Sequence, residues 1–245
     1  MEFTDDQFIE LHNRKDISFI TLTNYGYLHY AKNLILSLEK CNFPLSLKVY
    51  CIDQKSFDEL QACGNITVEM LNDETNTNET IVGWKEKGWG TMVFSKLKCI
   101  HRELLTNPYV LFTDSDIVFE DNDCLQYLLD TLKEYDMCIQ QNTDKSTYPL
   151  NTGFMLLQSN DSMKQLFDWS KIDINTFTCD QDYINDNKEK FNYFVLPRKL
   201  FPTEKDYYYL WIKPEPFHPY IIHFNKHRSD KKIIYFKKSG KWYLD

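Results

Sequence analysis

Apolar and polar positions along the chain fall into blocks whose period changes from block to block. Residues 17–23 (ISFITLT) form a continuous run rich in β-branched and aromatic side chains, the pattern of a buried strand. From 27 to 40 the apolar positions recur at Leu28, Ala31, Leu34, Ile35 and Leu38, which is helical spacing. A second strand spans 47–52 (LKVYCI) and ends at Asp53; a short helix at 56–63 is stopped by Gly64, and 66–70 (ITVEM) is a third strand. This β-α-β-α-β series predicts a parallel sheet covered by helices. Residues 72–90 are polar and predict a long loop. A helix at 92–106, the most apolar strand at 109–113 (YVLFT), a short strand at 117–119, a helix at 123–134 and a strand at 136–140 complete the first half. The second half reads as a strand at 152–157, helices at 161–169 and 181–188, and strands at 192–196 and 220–224.

At 245 residues, with no internal repeat and no Gly/Ser/Pro linker, the chain reads as one α/β domain over 1–245 with a core at about 17–228. A hydrophobic fraction of 42% excludes a disordered chain, and a net charge of −8 argues against a nucleic-acid binder. The charge is uneven: residues 225–245 carry seven Lys/Arg against two Asp, a basic tail on an acidic body. Seven widely spaced cysteines without a CxxC pair read as reduced thiols. The polar, acidic N-terminal stretch is unlike a signal peptide, and no apolar run approaches a membrane span. The expectation is a soluble cytoplasmic protein.

Four segments carry candidate chemistry. YVLFTDSDIVF, 109–119, delivers Asp114 and Asp116 to the carboxyl end of a buried strand, where open α/β sheets bind ligands. Two such carboxylates suit a hard cation, Mg²⁺ or Mn²⁺, although Asp and Ser are also common turn residues. NTGF, Asn151 to Phe154, offers an amide for a hydroxylated ligand and, at Gly153, room for close approach. CDQDYIN, Cys179 to Asn185, starts a helix with Thr178 or Asp180 as its cap, and its carboxylates also suit acid–base work. IIHFNKH, 221–227, places His223 at a strand end, with Lys226 and Arg228 of the right type to meet phosphates. His223 and His227 have HxxxH spacing but lack the helical context of a zinc pair.

The order DSD, NTGF, DQDYIN, HFNK behind TLTNYGY resembles the GT-A nucleotide-diphospho-sugar transferases, which are metal-dependent glycosyltransferases. The resemblance implies a three-layer, Rossmann-like α/β fold with a mixed, mostly parallel sheet. It implies Asp114, Asp116 and His223 as metal ligands. Thr21, Thr23, Asn24 and Tyr25 would meet the nucleoside, and Asp53 the base. Lys96, Asp114, Ser115, Gly153, Asn225 and Lys226 would complete the donor site, with Asn151, Asp180, Gln181 and Asp182 around the reacting sugar. The implied donor is a UDP-sugar before other nucleotide sugars, the acceptor a glycan or glycoprotein, and the outcome retaining rather than inverting. Trp84, Trp89 and Tyr148 are candidates for stacking on sugars.

Two other readings compete. Asp114-Ser115-Asp116-Ile117-Val118 also fits the first motif of haloacid-dehalogenase phosphatases, with Asp114 as nucleophile. Three strands precede it, however, where that motif normally takes the first. A non-catalytic module binding nucleotide sugars or carbohydrates is the other alternative.

Overall fold

A computed structural model describes residues 14–71, 89–142, 148–211, 217–227 and 229–245. Trp84, Arg228 and nearly all of the expected 72–90 loop lie outside the described residues. The last two residues of that expected loop begin a helix instead.

Among the described residues, seven strands form the main sheet in the order β3-β2-β1-β4-β7-β6-β8. They are β1 (Ile17–Thr23), β2 (Leu47–Cys51), β3 (Ile66–Met70), β4 (Tyr109–Thr113), β6 (Met137–Gln141), β7 (Leu150–Gln158) and β8 (Tyr193–Leu196). β5 (Ile117–Phe119) and β9 (Ile221–His223) form a small antiparallel pair beside it. β7 runs antiparallel to both its neighbours, β4 and β6, and the other six strands share one direction. The sheet is mixed and mostly parallel, as expected.

Strand side chains alternate between two apolar layers. Phe19, Val49, Leu111 and Leu156 face one core, and Ile20, Tyr50, Phe112 and Met155 face the other. The first core is closed by α1 (Leu28–Lys40), α2 (Gln54–Gln61) and α4 (Asp123–Leu132). The second is closed by α3 (Trp89–Leu104), α5 (Asp161–Leu166) and α6 (Asp180–Asp186). Burial on both faces is why these strands read as continuous apolar runs.

Some boundaries differ from the sequence reading, each for a local reason. Asp53 caps α2, its Oδ1 accepting from Ser56 N at 2.8 Å, so that helix starts before residue 56. Cys179, and neither Thr178 nor Asp180, sits at the cap position of α6, and Asp180 is the first helical residue. Asn151 and Gly153 lie within β7 instead of opening it. Two helices escaped the sequence reading: α7 (Glu204–Trp211) and α8 (Ser229–Lys238).

The segment read as a basic tail therefore has a packed structure. Phe236 of α8 is fully buried and stacks on Phe224 and Tyr30, with centroids 3.9 and 5.8 Å away. Asn33 of α1 clasps the segment beyond α8: its Nδ2 donates to Lys241 O at 3.0 Å and its Oδ1 accepts from Tyr243 N at 2.7 Å.

Candidate active site

β1 and β4 are neighbours, yet the chain leaves β1 toward β2 and returns on the other side at β4. The strand order reverses there, and ligands of open α/β sheets bind outside that point. β1 delivers Thr23 and Asn24 to this edge, and β4 delivers Asp114. Because β7 runs the opposite way, its beginning reaches the same edge. Thr113 pairs with Phe154, and Asp114 N donates to Gly153 O at 2.7 Å. Ile139 pairs with Met155 but Gln140 with Asn151, so residues 152–154 bulge from the β6–β7 ladder while Phe154 keeps its place beside β4. The bulge aims Thr152 and Gly153 at the site.

β9 brings His223 in from late in the chain. His223 pairs with Ile117, and Phe224 N donates to Asp116 O at 3.0 Å. His223 Nε2 then lies 3.2 Å from Asp116 Oδ1 and 3.7 Å from Asp114 Oδ2. On the ring's other side Nδ1 faces Gln140 Oε1 at 2.7 Å. Gln140 Nε2 donates to Phe201 O and Pro202 O, which fixes the amide with its oxygen toward the ring. Nδ1 is therefore the donor to Gln140, and Nε2 is the ring atom turned toward the two carboxylates.

Both aspartates are held from behind. Lys96 Nζ is 2.9 Å from Asp114 Oδ1 and 2.9 Å from Asp180 Oδ2, and it donates to Thr152 O at 3.3 Å. Lys232 Nζ is hydrogen-bonded to Asp116 Oδ2. Thr152 Oγ1 donates to Asp180 Oδ2 at 2.6 Å. Burial raises the Asp114 carboxyl above its usual range, and repulsion from Asp116 adds to this against the pull of Lys96 and His223. Burial opposes ionisation of Asp116 too, but Lys232 and His223 outweigh it and hold that carboxyl well below the usual range. Burial would lower Lys96, yet Asp114 and Asp180 keep it above its ordinary value.

One ligand atom from each of Asp114, Asp116 and His223 fits within 4.8 Å of the others. Two hard oxygens and an imidazole suit Mg²⁺ or Mn²⁺. Gly153 leaves the room this needs: a Cβ there would come within 2.2 Å of His223 Cε1 and 2.7 Å of Asp114 Oδ2.

A cavity of about 630 Å³ opens on this cluster. Of the residues expected in the site, Thr23, Asn24, Lys96, Asp114, Ser115, Asp116, Asn151, Gly153, Asp180, Gln181, His223, Asn225 and Lys226 line it. Thr21, Tyr25, Asp53 and Asp182 do not. Asp53 instead accepts from Tyr25 N at 2.8 Å and caps α2, so it supports the β1 loop from behind. Tyr148 lies outside the lining, and Trp89 is described only as the start of α3. Lys232, Thr152 and Gln140 went unremarked in the sequence as site residues, and His227, which also lines the cavity, is noted there only for its spacing from His223. His227 is no partner of His223: its Nδ1 is bonded to the buried Glu204, and its ring stacks on Tyr235. Only Lys232 had a readable trace, lying four residues before Phe236 and so on the same helical face.

All seven cysteines are free thiols, and burial pushes Cys51, Cys138 and Cys179 up to about 12. Among the described residues no helix is long and apolar enough to cross a membrane.

The family model of the nucleotide-diphospho-sugar transferases matches residues 46–236. A Dictyostelium discoideum protein, UDP-galactose:fucoside alpha-3-galactosyltransferase, is 24% identical over 95% of this chain. The chain spans 44% of that relative's length. Among solved structures, the Streptococcus pneumoniae glycosyltransferase GlyE superposes with a TM-score of 0.60 at 18% identity, covering 95% of this chain and 61% of GlyE. The galactosyltransferase LgtC, solved with donor and acceptor sugar analogues, superposes at 0.57 and 13% identity over 93% of this chain and 97% of LgtC. The fold is that of the GT-A glycosyltransferases.

Proposed function

The chain belongs to the nucleotide-diphospho-sugar transferases, and from that premise we propose that it moves a sugar from a UDP-sugar to a glycan or glycoprotein hydroxyl, with Mn²⁺ or Mg²⁺ at Asp114, Asp116 and His223. The observation that carries this reading is the convergence of those three side chains on one edge of a cavity large enough for a nucleotide sugar. A divalent ion there supplies Lewis-acid stabilisation of the charge that develops on a departing diphosphate. Residues 1–245 act in this reading as one transferase domain.

The chain's own residues divide the rest of the work. Thr23 and Asn24 form the nucleoside wall, with Thr21, Tyr25 and Asp53 behind it. Lys226 and Asn225 offer donors to the phosphates from the opposite wall. Ser115 and Gly153 floor the donor site, and Asn151 and Gln181 present amides to the sugar. Asp182 lies away from the lining and is left to the first turn of α6, where an acidic residue suits the helix dipole.

Retention is the outcome this arrangement supports. Among the described lining residues every carboxylate is already engaged: Asp114 and Asp180 by Lys96, and Asp116 by Lys232. Inversion needs an unengaged base beside the acceptor hydroxyl. Retention can instead set the amide oxygens of Gln181 and Asn151 against positive charge at the anomeric carbon. The phosphatase alternative is not favoured, since the matched family region spans Asp114 and His223 alike.

The test is a donor panel with and without Mn²⁺. The Dictyostelium relative is named for UDP-galactose and a fucoside, so UDP-galactose and fucose-terminated acceptors come first. The expected result is UDP release that stops in excess chelator and in Asp116→Ala with its melting temperature kept. Full turnover in chelator would overturn the metal assignment, and turnover with GDP- or CMP-sugars alone would overturn the donor. The anomeric configuration of the product decides retention.

A further inference from the structure

We propose that Lys232 makes the cation site selective for a metal–nucleotide pair over the metal alone. This rests on the reading of the cavity as a nucleotide-sugar donor site and adds to it a residue from outside the expected ligand set.

Lys232 comes from α8, and its Nζ holds Asp116 Oδ2 while Asp116 Oδ1 faces His223. It is 6% exposed, and its ammonium lies 5.4 Å from the Tyr30 ring centroid. The helix that carries it is anchored. Phe236, one turn on, is buried against Phe224; Tyr208 OH donates to Tyr235 O at 3.0 Å; and Tyr235 stacks on His227. The ammonium is thus fixed on one oxygen of the very carboxylate whose other oxygen a divalent ion would take.

The charges in the cluster favour the pair. Asp114, Asp116 and Asp180 set three negative charges there, and Lys96 and Lys232 return two positive ones. One negative charge is left, a poor match for a free divalent cation. An ion bound to Asp116 would also share that carboxylate with an ammonium, and like charges at such separation repel strongly in a buried site. A nucleoside diphosphate reverses the balance, because its oxygens give Lys232 an anionic partner. Metal and nucleotide therefore bind with positive coupling, and Lys232 is its source. By linkage the coupling is the same read from either ligand.

The experiment measures Mn²⁺ binding by electron paramagnetic resonance for wild type, Lys232→Met and Lys232→Arg, each with and without UDP. In wild type, UDP should tighten Mn²⁺ by a factor within about 5–150, the usual range of such coupling. Lys232→Met should bind free Mn²⁺ at least about fivefold tighter than wild type and lose most of the enhancement by UDP. Lys232→Arg keeps the charge and should behave as wild type, which separates charge from any loosening of α8. Free Mn²⁺ binding that is unchanged or weaker in Lys232→Met, with the UDP enhancement intact, overturns the proposal and leaves the donor site standing. Absence of any Mn²⁺ or UDP binding in wild type overturns both.

Discussion

Lys96 and Asp180 form a 2.9 Å ion pair across the cavity wall, one from α3 and the other from the first turn of α6. The same ammonium holds Asp114, so one buried cation joins the strand-end carboxylate to the sugar side of the site. Both partners are almost fully buried, at 6% and 4% exposure.

Lys96→Met strands the buried Asp180 and the half-buried Asp114 and should cost about 3–5 kcal/mol of stability. Asp180→Asn should cost less, because Lys96 keeps Asp114 and Thr152 keeps a hydrogen-bond partner. Denaturant unfolding of the two variants gives the order, and a larger loss in Asp180→Asn would contradict the geometry.

Gln140→Leu should weaken divalent-metal binding about 10–100-fold, the usual effect of losing a group that orients a ligating histidine. Without the amide oxygen, nothing fixes the proton on His223 Nδ1. Metal titration followed by nucleotide binding checks this, and unchanged affinity would remove Gln140 from the site.

Gly153→Ala should disable the cation site. The added methyl group would meet His223 and Asp114, and His223 cannot retreat from Gln140. The expected stability loss is about 1–3 kcal/mol, with metal binding lost alongside it. Calorimetry in the presence of Mn²⁺ reads both quantities.

Glu103 supplies the pH prediction. It accepts from Ser18 at 2.5 Å, Lys48 at 2.7 Å and Tyr50, joining α3 to β1 and β2. Burial pushes its carboxyl up, but these hydrogen bonds, that of Lys48 first, win and leave it below its usual range. A carboxyl lowered on folding adds stability that is complete above its unfolded value, near 4.3, and is lost as pH falls through the folded value. Glu103→Gln should cost about 2–3 kcal/mol at pH 7. Its deficit should shrink as pH drops below about 4. A deficit that stays constant across that range would show that the charge carries none of the effect.

Much of this was legible in the sequence because the core strands are buried on both faces. β1, β2 and β4 stand out as apolar runs, and the carboxyl ends of β1 and β4 locate Thr23, Asn24, Asp114 and Asp116. The approach of His223 was not legible from the residues themselves, since it depends on the pairing of β9 with β5; family resemblance supplied it. The capping role of Asp53 is not legible, because a carboxylate at a strand end looks the same whether it faces a ligand or caps the next helix. Lys232 was hidden by its setting among other lysines: only the burial of Phe236 fixes which of them turns inward. Gln140 and Thr152 act through partners far away in the chain, and local pattern holds no trace of those.

The bulge at residues 152–154 has a consequence for mutational scanning. It serves the site through main-chain carbonyls, Thr152 O to Lys96 and Gly153 O to Asp114 N. Alanine at Thr152 deletes the hydroxyl bound to Asp180 and leaves the carbonyl on Lys96 in place. A single-residue deletion there would instead shift the frame of β7 and turn every later side chain to the opposite face of the sheet. This stretch should therefore bear alanine at position 152 better than a deletion of that residue.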